Sequence, residues 1–579
     1  MERRVFVAIL LSFAVLYGYQ ALFVPPKPAP PAELAQRPQP VATSSETPAI
    51  KPAEAVPESA RAPEPPALMT EAGEREIVVD TATSQVVLTN RGGRILHWRL
   101  KDYRDPQGAL VDLVPSDVPP DQPRPFSLLV DDQQITTRLN GALFQATGDS
   151  SGRVDASQGP GTVVFEYQDA AGLRARKEFR FDPRNYVVSF SATVTNGEKV
   201  LNPTIAWGPG LGDAGAATGG GSFFTGNYVQ PPQAIYHRDG DVERITAGDT
   251  IEEPIYEGVF RFAGLDDHYF LAAAVNPGRA RLEYKPVTLP GPGETQRQLL
   301  AHAIRFPEPP ATVRFFVGPK QLDVLRSVEP EMARAISFGM FRLLSLPLLS
   351  ALTWIHGFIG NYGWAIILLT ILINLAIFPL RHKSLVSMRK VQALQPQLKL
   401  IQDRYAGLKV TDPAKQKMQT EIMALYKEKG VNPASGCLPM LLTMPVLFAF
   451  YSLLSQAIEL RGAEFGWWIK DLSEHDPLYI TPVLMALTMF WQQKVTPSTA
   501  DPAQQKVMMM MPLMFGVMFL YAPSGLVLYW FVGNLFAIGQ QYFTNWWIGP
   551  PVVATARPPA ERRLKNAGSG RTAGAENKN

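Results

Sequence analysis

At 579 residues the chain exceeds the roughly 100–200 residues of one domain, and 46% apolar with 10% aromatic residues excludes a wholly disordered polymer. Its single cysteine, Cys437, excludes an intrachain disulfide, so the fold rests on burial alone. A net charge of +3 hides a partition: residues 381–435 hold eleven Lys/Arg against four Asp/Glu, residues 551–579 hold six against two, and the rest is acidic, as in membrane proteins with sided loops.

Residues 1–24 begin with Arg3 and Arg4 and continue as an apolar run over 5–24, just the ~20 residues a spanning helix requires. A cleaved signal peptide is the competing reading, but its apolar core is about 7–15 residues and ends at a small-x-small site. This run passes straight into prolines, so an uncleaved signal-anchor helix is expected, with the N-terminus cytoplasmic and the following segment exported. Residues 25–67 are dominated by Pro, Ala, Glu and Gln and read as a linker with too little apolar surface to order. Over 68–325, short β-branched and aromatic runs at 76–80, 84–89, 162–167 and 186–194 alternate with turn residues at 90–93, 182–183 and 196–197. No helix-period segment of comparable length interrupts them, so a periplasmic β-sandwich of about 250 residues is expected.

Residues 326–360 change character. Pro347 is expected to open a short helix with Leu348, Leu352, Ile355 and Ile359 on one stripe and Ser350, Thr353 and Gly357 off it, resting in the membrane interface. Within residues 361–548 five apolar runs follow, at 362–380, 438–458, 478–491, 507–521 and 526–547, with Trp and Tyr at many ends. With the sandwich outside, Arg381-His382-Lys383 falls inside, the acidic loop 461–476 outside, Lys494 and Lys506 inside, the 522–525 turn outside and the basic tail 549–579 inside. Each alternation obeys the positive-inside rule. The expected fold is a membrane protein of six transmembrane α-helices with both termini cytoplasmic. A helical hairpin over 381–435 is introduced in part by Thr411-Asp412-Pro413.

Two enzyme signatures are missing from the sequence: it has no Gly-x-x-x-x-Gly-Lys-Ser/Thr and no His-Glu-x-x-His. Asp266-Asp267-His268 is the most enzyme-like cluster, and it reads more simply as structural. The glycines at 218–221 have no helix after them to cradle a phosphate. The expectation is a non-enzyme without catalytic residues, metal or cofactor. The spans hold no charged residue at their centres, unlike the relays of ion-coupled transporters. Thr370, Asn374, Thr443, Gln456, Asn534 and Gln540 are polar but uncharged; they either bond helix to helix or converge on a wet cavity.

Two long motifs carry a family resemblance. One runs Ala424-Leu-Tyr-Lys-Glu-Lys-Gly-Val-Asn-Pro433-Ala-Ser-Gly-Cys-Leu-Pro-Met-Leu-Leu-Thr-Met-Pro445. The other is Ala522-Pro-Ser-Gly-Leu-Val-Leu-Tyr-Trp530, followed by Asn534 and Gln540-Gln541. Both resemble the YidC membrane protein insertases, as does Trp354-Ile-His-Gly-Phe-Ile-Gly-Asn-Tyr-Gly-Trp364, and the likeness covers the whole chain in order. It implies the Gram-negative form, with a five-helix insertase core, an N-terminal signal anchor and a galactose mutarotase-like sandwich. It also implies a groove open to cytoplasm and lipid, whose usual arginine lies five residues before a proline of the second span. Here that proline is Pro379 and the position holds Asn374, so the usual charge is expected to be missing. The implied groove residues are Thr370, Asn374, Thr443, Tyr529, Trp530 and Asn534, with Thr370 facing the same cavity as Asn374. Cys437, Met444, Pro445, Met514 and Met518 would form an adaptable slide for substrate helices, or be ordinary core and lipid-facing residues.

The implied function is a membrane protein insertase and chaperone of the bacterial inner membrane, acting alone or with the Sec translocon. Its implied partners are nascent membrane proteins, Sec translocon subunits, the ribosome, signal recognition particle components and membrane lipids. Arg389, Lys390, Lys415, Lys417, Lys427 and Lys429 would contact ribosomal RNA or anionic headgroups. The rival from another class is a membrane-tethered periplasmic carbohydrate-binding protein with the spans as its anchor.

Overall fold

The computed structural model describes residues 67–105, 107–116, 118–119, 122–147, 152–212, 230, 232–247, 255–290, 296–405, 412–431, 438–496 and 502–549. The signal anchor at 5–24, the linker up to residue 66, the glycines at 218–221, Cys437 and the tail beyond residue 549 therefore lie outside the described residues.

Alternating burial builds the exported half. In the strands Gly161–Asp169 and Leu173–Phe181 every second side chain is buried, the signature of a sheet with one face on a core. These strands belong to a 14-stranded, antiparallel-paired sheet that continues through Val187–Asn196, Val313–Pro319, Phe270–Pro290 and Ile255–Asp266. A second sheet of five strands contains Glu76–Thr81, Ser84–Thr89 and Arg94–Arg104. Ile77, Val79 and Trp98 of the smaller sheet share one apolar cluster with Phe165, Phe179 and Phe181 of the larger, and the Trp98 and Phe181 rings lie 5.9 Å apart. The two sheets form a β-sandwich. The expected turn at Gly92 and Gly93 is real: φ of +71° and +54° is cheap only for glycine, and a Cβ on Gly92 would meet the Asn140 carbonyl oxygen at 2.8 Å.

One helix breaks the all-strand expectation. Gln133–Gly141 (α1) starts at Asp132, whose side chain accepts from the N–H groups of Gln134 and Ile135, and it buries Ile135, Thr136 and Leu139 on the sandwich. Its nine residues are too short to show a helical period, and the Asp cap was the available signal.

Among the described residues nine further helices follow: Leu322–Val328 (α2), Arg342–Ile359 (α3), Tyr362–Ala393 (α4), Gln395–Arg404 (α5), Ala414–Glu428 (α6), Leu438–Gln456 (α7), Ile480–Val495 (α8), Pro502–Met518 (α9) and Ser524–Ile548 (α10). The helix expected to open at Pro347 starts at Arg342 instead, with Pro347 inside it. Its buried stripe is Ser345, Leu349, Leu352 and Ile355, while Ile359 is exposed. Ser345 shifts the stripe by donating its hydroxyl to the Ala449 carbonyl of α7 at 3.0 Å. By length and composition two described helical stretches are long and apolar enough to cross a membrane, Gly339–Ile359 and Tyr362–Ala393. Met444–Gln456 and Val507–Tyr521 are shorter apolar stretches.

Candidate functional site

Four of the longer helices and the end of α8 surround a cavity of about 410 Å³. Helix α4 contributes Asn374 and Arg381, α7 Val446 and Leu447, α8 and its cap Gln492, Gln493 and Thr496, α9 Met511 and Pro512, and α10 Tyr529, Trp530 and Asn534. The lining mixes apolar walls with converging amides and hydroxyls, the composition of a binding site rather than of a dry core. The Gln493 amide donates to the Met508 carbonyl at 2.7 Å, while its Oε1 is buried without a partner among the described residues. A buried acceptor beside a cavity of this size calls for water.

Asn374 lies on the cavity wall. Its Nδ2 donates to the Thr370 carbonyl at 2.8 Å. Thr370 itself is fully buried, donates its hydroxyl to the Ile366 carbonyl at 2.6 Å and is not part of the cavity lining. The expectation that it faces the same cavity is corrected: back-bonding to its own helix satisfies the hydroxyl. Tyr529 and Trp530 line the cavity. The Tyr529 ring is stacked 4.3 Å from Phe450, and Trp530 packs edge-on against Phe519 at 5.1 Å. Asn534 reaches α8, donating to the Met485 carbonyl at 3.4 Å and the Thr488 hydroxyl at 3.3 Å.

Position 374 holds the uncharged Asn374, but a charge reaches the lining from further along α4. Arg381 lines the cavity, and its Nη1 donates to Asn374 Oδ1 at 3.0 Å. In the sequence Arg381 reads as a topology marker at the end of a span. The missed signal was its spacing of seven from Asn374, which places both on one face of a helix.

The remaining named residues are scattered. Met444 is half-buried, Pro445 and Met514 are exposed, and Met518 is half-buried against the core. Thr443 lies in α7 and Lys415 in α6, but their side chains are outside the description, as is Cys437. Lys390, Lys417, Lys427 and Lys429 are exposed, Lys429 pairing with Glu428 at 2.8 Å. Arg389 is engaged internally: it donates to the Gly549 carbonyl at 2.6 Å and to Asn545 Oδ1, capping the end of α10.

Asp266-Asp267-His268 is used up in structure. Asp266 pairs with Lys320 at 3.1 Å with neither exposed. Asp267 accepts from the N–H groups of Tyr269 and Phe270, and burial raises its carboxyl to about 6. His268 Nε2 lies 2.7 Å from the Ser455 carbonyl oxygen. Burial, reinforced by Lys320, holds its imidazole down at about 4, so at neutral pH Nε2–H donates to that carbonyl.

Sequence comparison extends the geometry. The family model for the 60Kd inner membrane protein matches residues 354–549 and that for the YidC periplasmic domain matches residues 76–351. A membrane protein insertase YidC of Geobacter metallireducens is 35% identical over 571 residues, 94% of this chain and 98% of that protein. One of Maridesulfovibrio salexigens is likewise 35% identical, over 93% and 98% of the two chains. Among solved structures, an active YidC insertase with its first transmembrane domain resolved aligns with 83% of this chain and 95% of that one at 19% identity and a TM-score of 0.35. A galactose mutarotase related enzyme of Lactobacillus acidophilus aligns with 42% and 97% at 9% identity and a TM-score of 0.27.

Proposed function

The chain belongs to the YidC membrane protein insertase family, and on that premise we propose that the cavity of α4, α7, α8, α9 and α10 is the path by which it inserts its substrates. It is a membrane protein insertase of the inner membrane with a large periplasmic domain. The observation that carries the proposal is the junction of Asn374, Arg381, Tyr529 and Asn534 on one half-open cavity between otherwise apolar helices.

The physical argument is one of distance. Carrying a polar segment across about 30 Å of hydrocarbon is prohibitive, because each unsatisfied backbone group costs several kcal/mol. A wet cavity reaching partway shortens the dry path and offers hydrogen-bond partners. Partition of the substrate's own apolar helix into lipid then drives the transfer, and no nucleotide is required.

The remaining topology is part of the same proposal: six spans, with signal anchor 1–24, linker 25–67, periplasmic sandwich 68–325, interfacial region 326–360, insertase core 361–548 and cytoplasmic tail 549–579, both termini inside. Support comes from the charge alternation of the loops. The chain chaperones nascent membrane proteins, alone or beside the Sec translocon. Its exposed lysines on α6 face the ribosome, signal recognition particle components or anionic lipid. Thr443 completes the groove, with Cys437, Met444, Pro445, Met514 and Met518 as the slide.

The test is insertion of a single-span protein into proteoliposomes holding the full chain, scored by protease protection. Asn374→Leu, which removes both hydrogen-bonding groups from the cavity wall, should reduce insertion at least several-fold. Full activity of that variant would remove the cavity from the path.

A further inference from the structure

Three neighbouring strands of the larger sheet place a row of polar residues on its outer face. Arg180 of Leu173–Phe181 stands opposite Ser189 of Val187–Asn196, and Ser189 stands opposite Arg314 of Val313–Pro319. Residues in register share a face, so the two arginines flank the short serine across two strand spacings, roughly 10 Å in all. The row is firmly backed. Phe179, Phe190 and Phe315, one residue away on each strand, are buried and pack on Phe126 with ring centroids 5.3, 4.9 and 4.9 Å away. All three members of the row line a half-open pocket of about 210 Å³, which also takes in Asn185 from the strand turn and Ser327 from the end of α2.

The charges in this pocket are uncompensated. Arg176, on the same face of the same strand, is neutralised by Glu166 and Glu178 at 2.6 and 3.2 Å. Arg180 instead stands between Thr162 and Ser189, and Arg314 between Ser189 and Val275. Neither arginine makes an ion pair among the described residues. Asp182 is the one carboxylate on the described lining, and its Oδ1 is taken by the N–H groups of Arg184 and Asn185 at 2.9 and 3.0 Å. Two guanidinium groups beside one small pocket repel each other, and an anion between them reverses that repulsion.

We infer that this pocket binds a phosphate group carried on a small organic residue. A carboxylate fills one guanidinium fork with its two oxygens; a phosphate ester has further oxygens for the second fork and for the Ser189 hydroxyl. At about 210 Å³ the pocket falls below the roughly 300–1,000 Å³ of drug-sized ligand sites, which limits the carrier to a few carbons. A lipid headgroup and a soluble phosphate ester both present this chemistry. Arg326, next to Ser327, donates to the Ser350 hydroxyl of α3 at 3.4 Å, so an occupant would tie the outer sheet face to the segment that leads into the helices. The site shares no residue with the cavity between the helices and is independent of the insertase reading.

The experiment is isothermal titration calorimetry of the full chain in an uncharged detergent, with glycerol phosphate as the probe and succinate as the carboxylate control. Wild type is expected to bind glycerol phosphate, and succinate at least tenfold more weakly. Arg180→Gln and Arg314→Gln should each weaken glycerol phosphate about tenfold, the scale of one charge-assisted bidentate contact. Arg174→Gln removes an exposed charge from the same strand outside the pocket and should leave binding unchanged. Both pocket arginines are exposed, so the variants should fold, and a circular dichroism spectrum matching wild type checks this. Native mass spectrometry separates the sources. A phosphatidylglycerol molecule kept by wild type and lost from the variant carrying both Arg180→Gln and Arg314→Gln identifies a lipid headgroup; equal retention identifies a soluble ester. The inference is overturned if wild type does not bind glycerol phosphate, if succinate binds as tightly, if the pocket substitutions leave binding intact, or if Arg174→Gln weakens it as much as they do.

Discussion

His302 shows how a single side chain can set the acid limit of the exported half. It is buried on the strand Gln296–Arg305, stacked 5.0 Å from Tyr284, and neither ring nitrogen has a hydrogen-bond partner among the described residues. Burial holds its imidazole down at about 3. The unfolded chain takes up that proton near 6.5, so between those values it binds more protons than the folded chain, and stability falls as pH drops through the window. From pH 7.5 to 5 the loss is roughly 2 kcal/mol at about 1.36 kcal/mol per unit below 6.5. His302→Phe keeps the stacking and removes the proton, so calorimetry at the two pH values should show a smaller fall in Tm than for wild type. Equal falls would mean that other groups set the acid limit. Lys177 has its needs met inside: fully buried, it donates to the carbonyls of Gly92, Gly93 and Phe126 at 2.6, 3.2 and 2.8 Å. Three donors meet three acceptors and tie both sheets together.

At the scale of elements, α4 organises the helical half. Its 32 residues span about 48 Å at 1.5 Å per residue, well beyond a hydrocarbon layer of about 30 Å. Its start is fixed by Asn361, whose side chain accepts from the Trp364 N–H at 3.2 Å, and by a close approach at Gly363, where a Cβ would lie 2.0 Å from the Phe465 ring. Gly363→Ala should therefore destabilise the helical half by about 1–3 kcal/mol through overpacking. Adding Phe465→Ala should return part of that loss, and thermal unfolding of the four-member cycle in detergent checks it. Simple additivity of the two substitutions would show that the contact is not what requires glycine. Further along, α5 and α6 pair through Tyr405 and Glu421 at 2.8 Å, leaving Lys417, Lys427 and Lys429 exposed. Replacing Lys415, Lys417, Lys427 and Lys429 with Gln should lower both ribosome or anionic-vesicle affinity and its salt slope. An unchanged slope would mark a solvated face without an electrostatic partner.

Much of this was legible in the residues for identifiable reasons. The strands announce themselves because one face is buried and the other wet, which forces an alternation readable in Leu173–Phe181. Asn374 was picked out by the family resemblance, which puts the usual arginine five residues before Pro379. Arg381 escaped because its role depends on a side chain reaching back two turns, while its place in the sequence already had a sufficient explanation in membrane sidedness. Thr370 was misjudged for the opposite reason: a polar residue in a span invites a functional partner, and its own helix supplied one.

At the scale of the whole molecule, the sandwich is joined to the helices by contacts of several kinds. A continuous cluster of buried apolar side chains includes Ile77 of the smaller sheet, Leu325 and Phe338 of the connection and Val532 of α10. His268 reaches the Ser455 carbonyl, Glu459 accepts from the Leu322 N–H at 3.1 Å, and Arg461 lies over the rings of Tyr269 and Phe270 at 5.2 and 5.3 Å. Calorimetry of the intact chain should accordingly show coupled unfolding of the two halves, and His268→Ala with Glu459→Ala should separate it into two transitions. Two transitions already present in wild type would show that these contacts transmit little. The same joint means that deleting residues 68–320 exposes apolar surface on the core, so lost insertion in that deletion would not by itself assign a function to the sandwich.

The exposed methionines of α9 carry a further consequence. Met509, Met510 and Met514 are 46%, 67% and 57% exposed, and an accessible thioether is oxidisable. Conversion to the sulfoxide replaces a pliant apolar surface with a polar, chiral one until a reductase restores it. The flexibility that would let this helix accommodate many partners also gives it several thioethers open to oxidation.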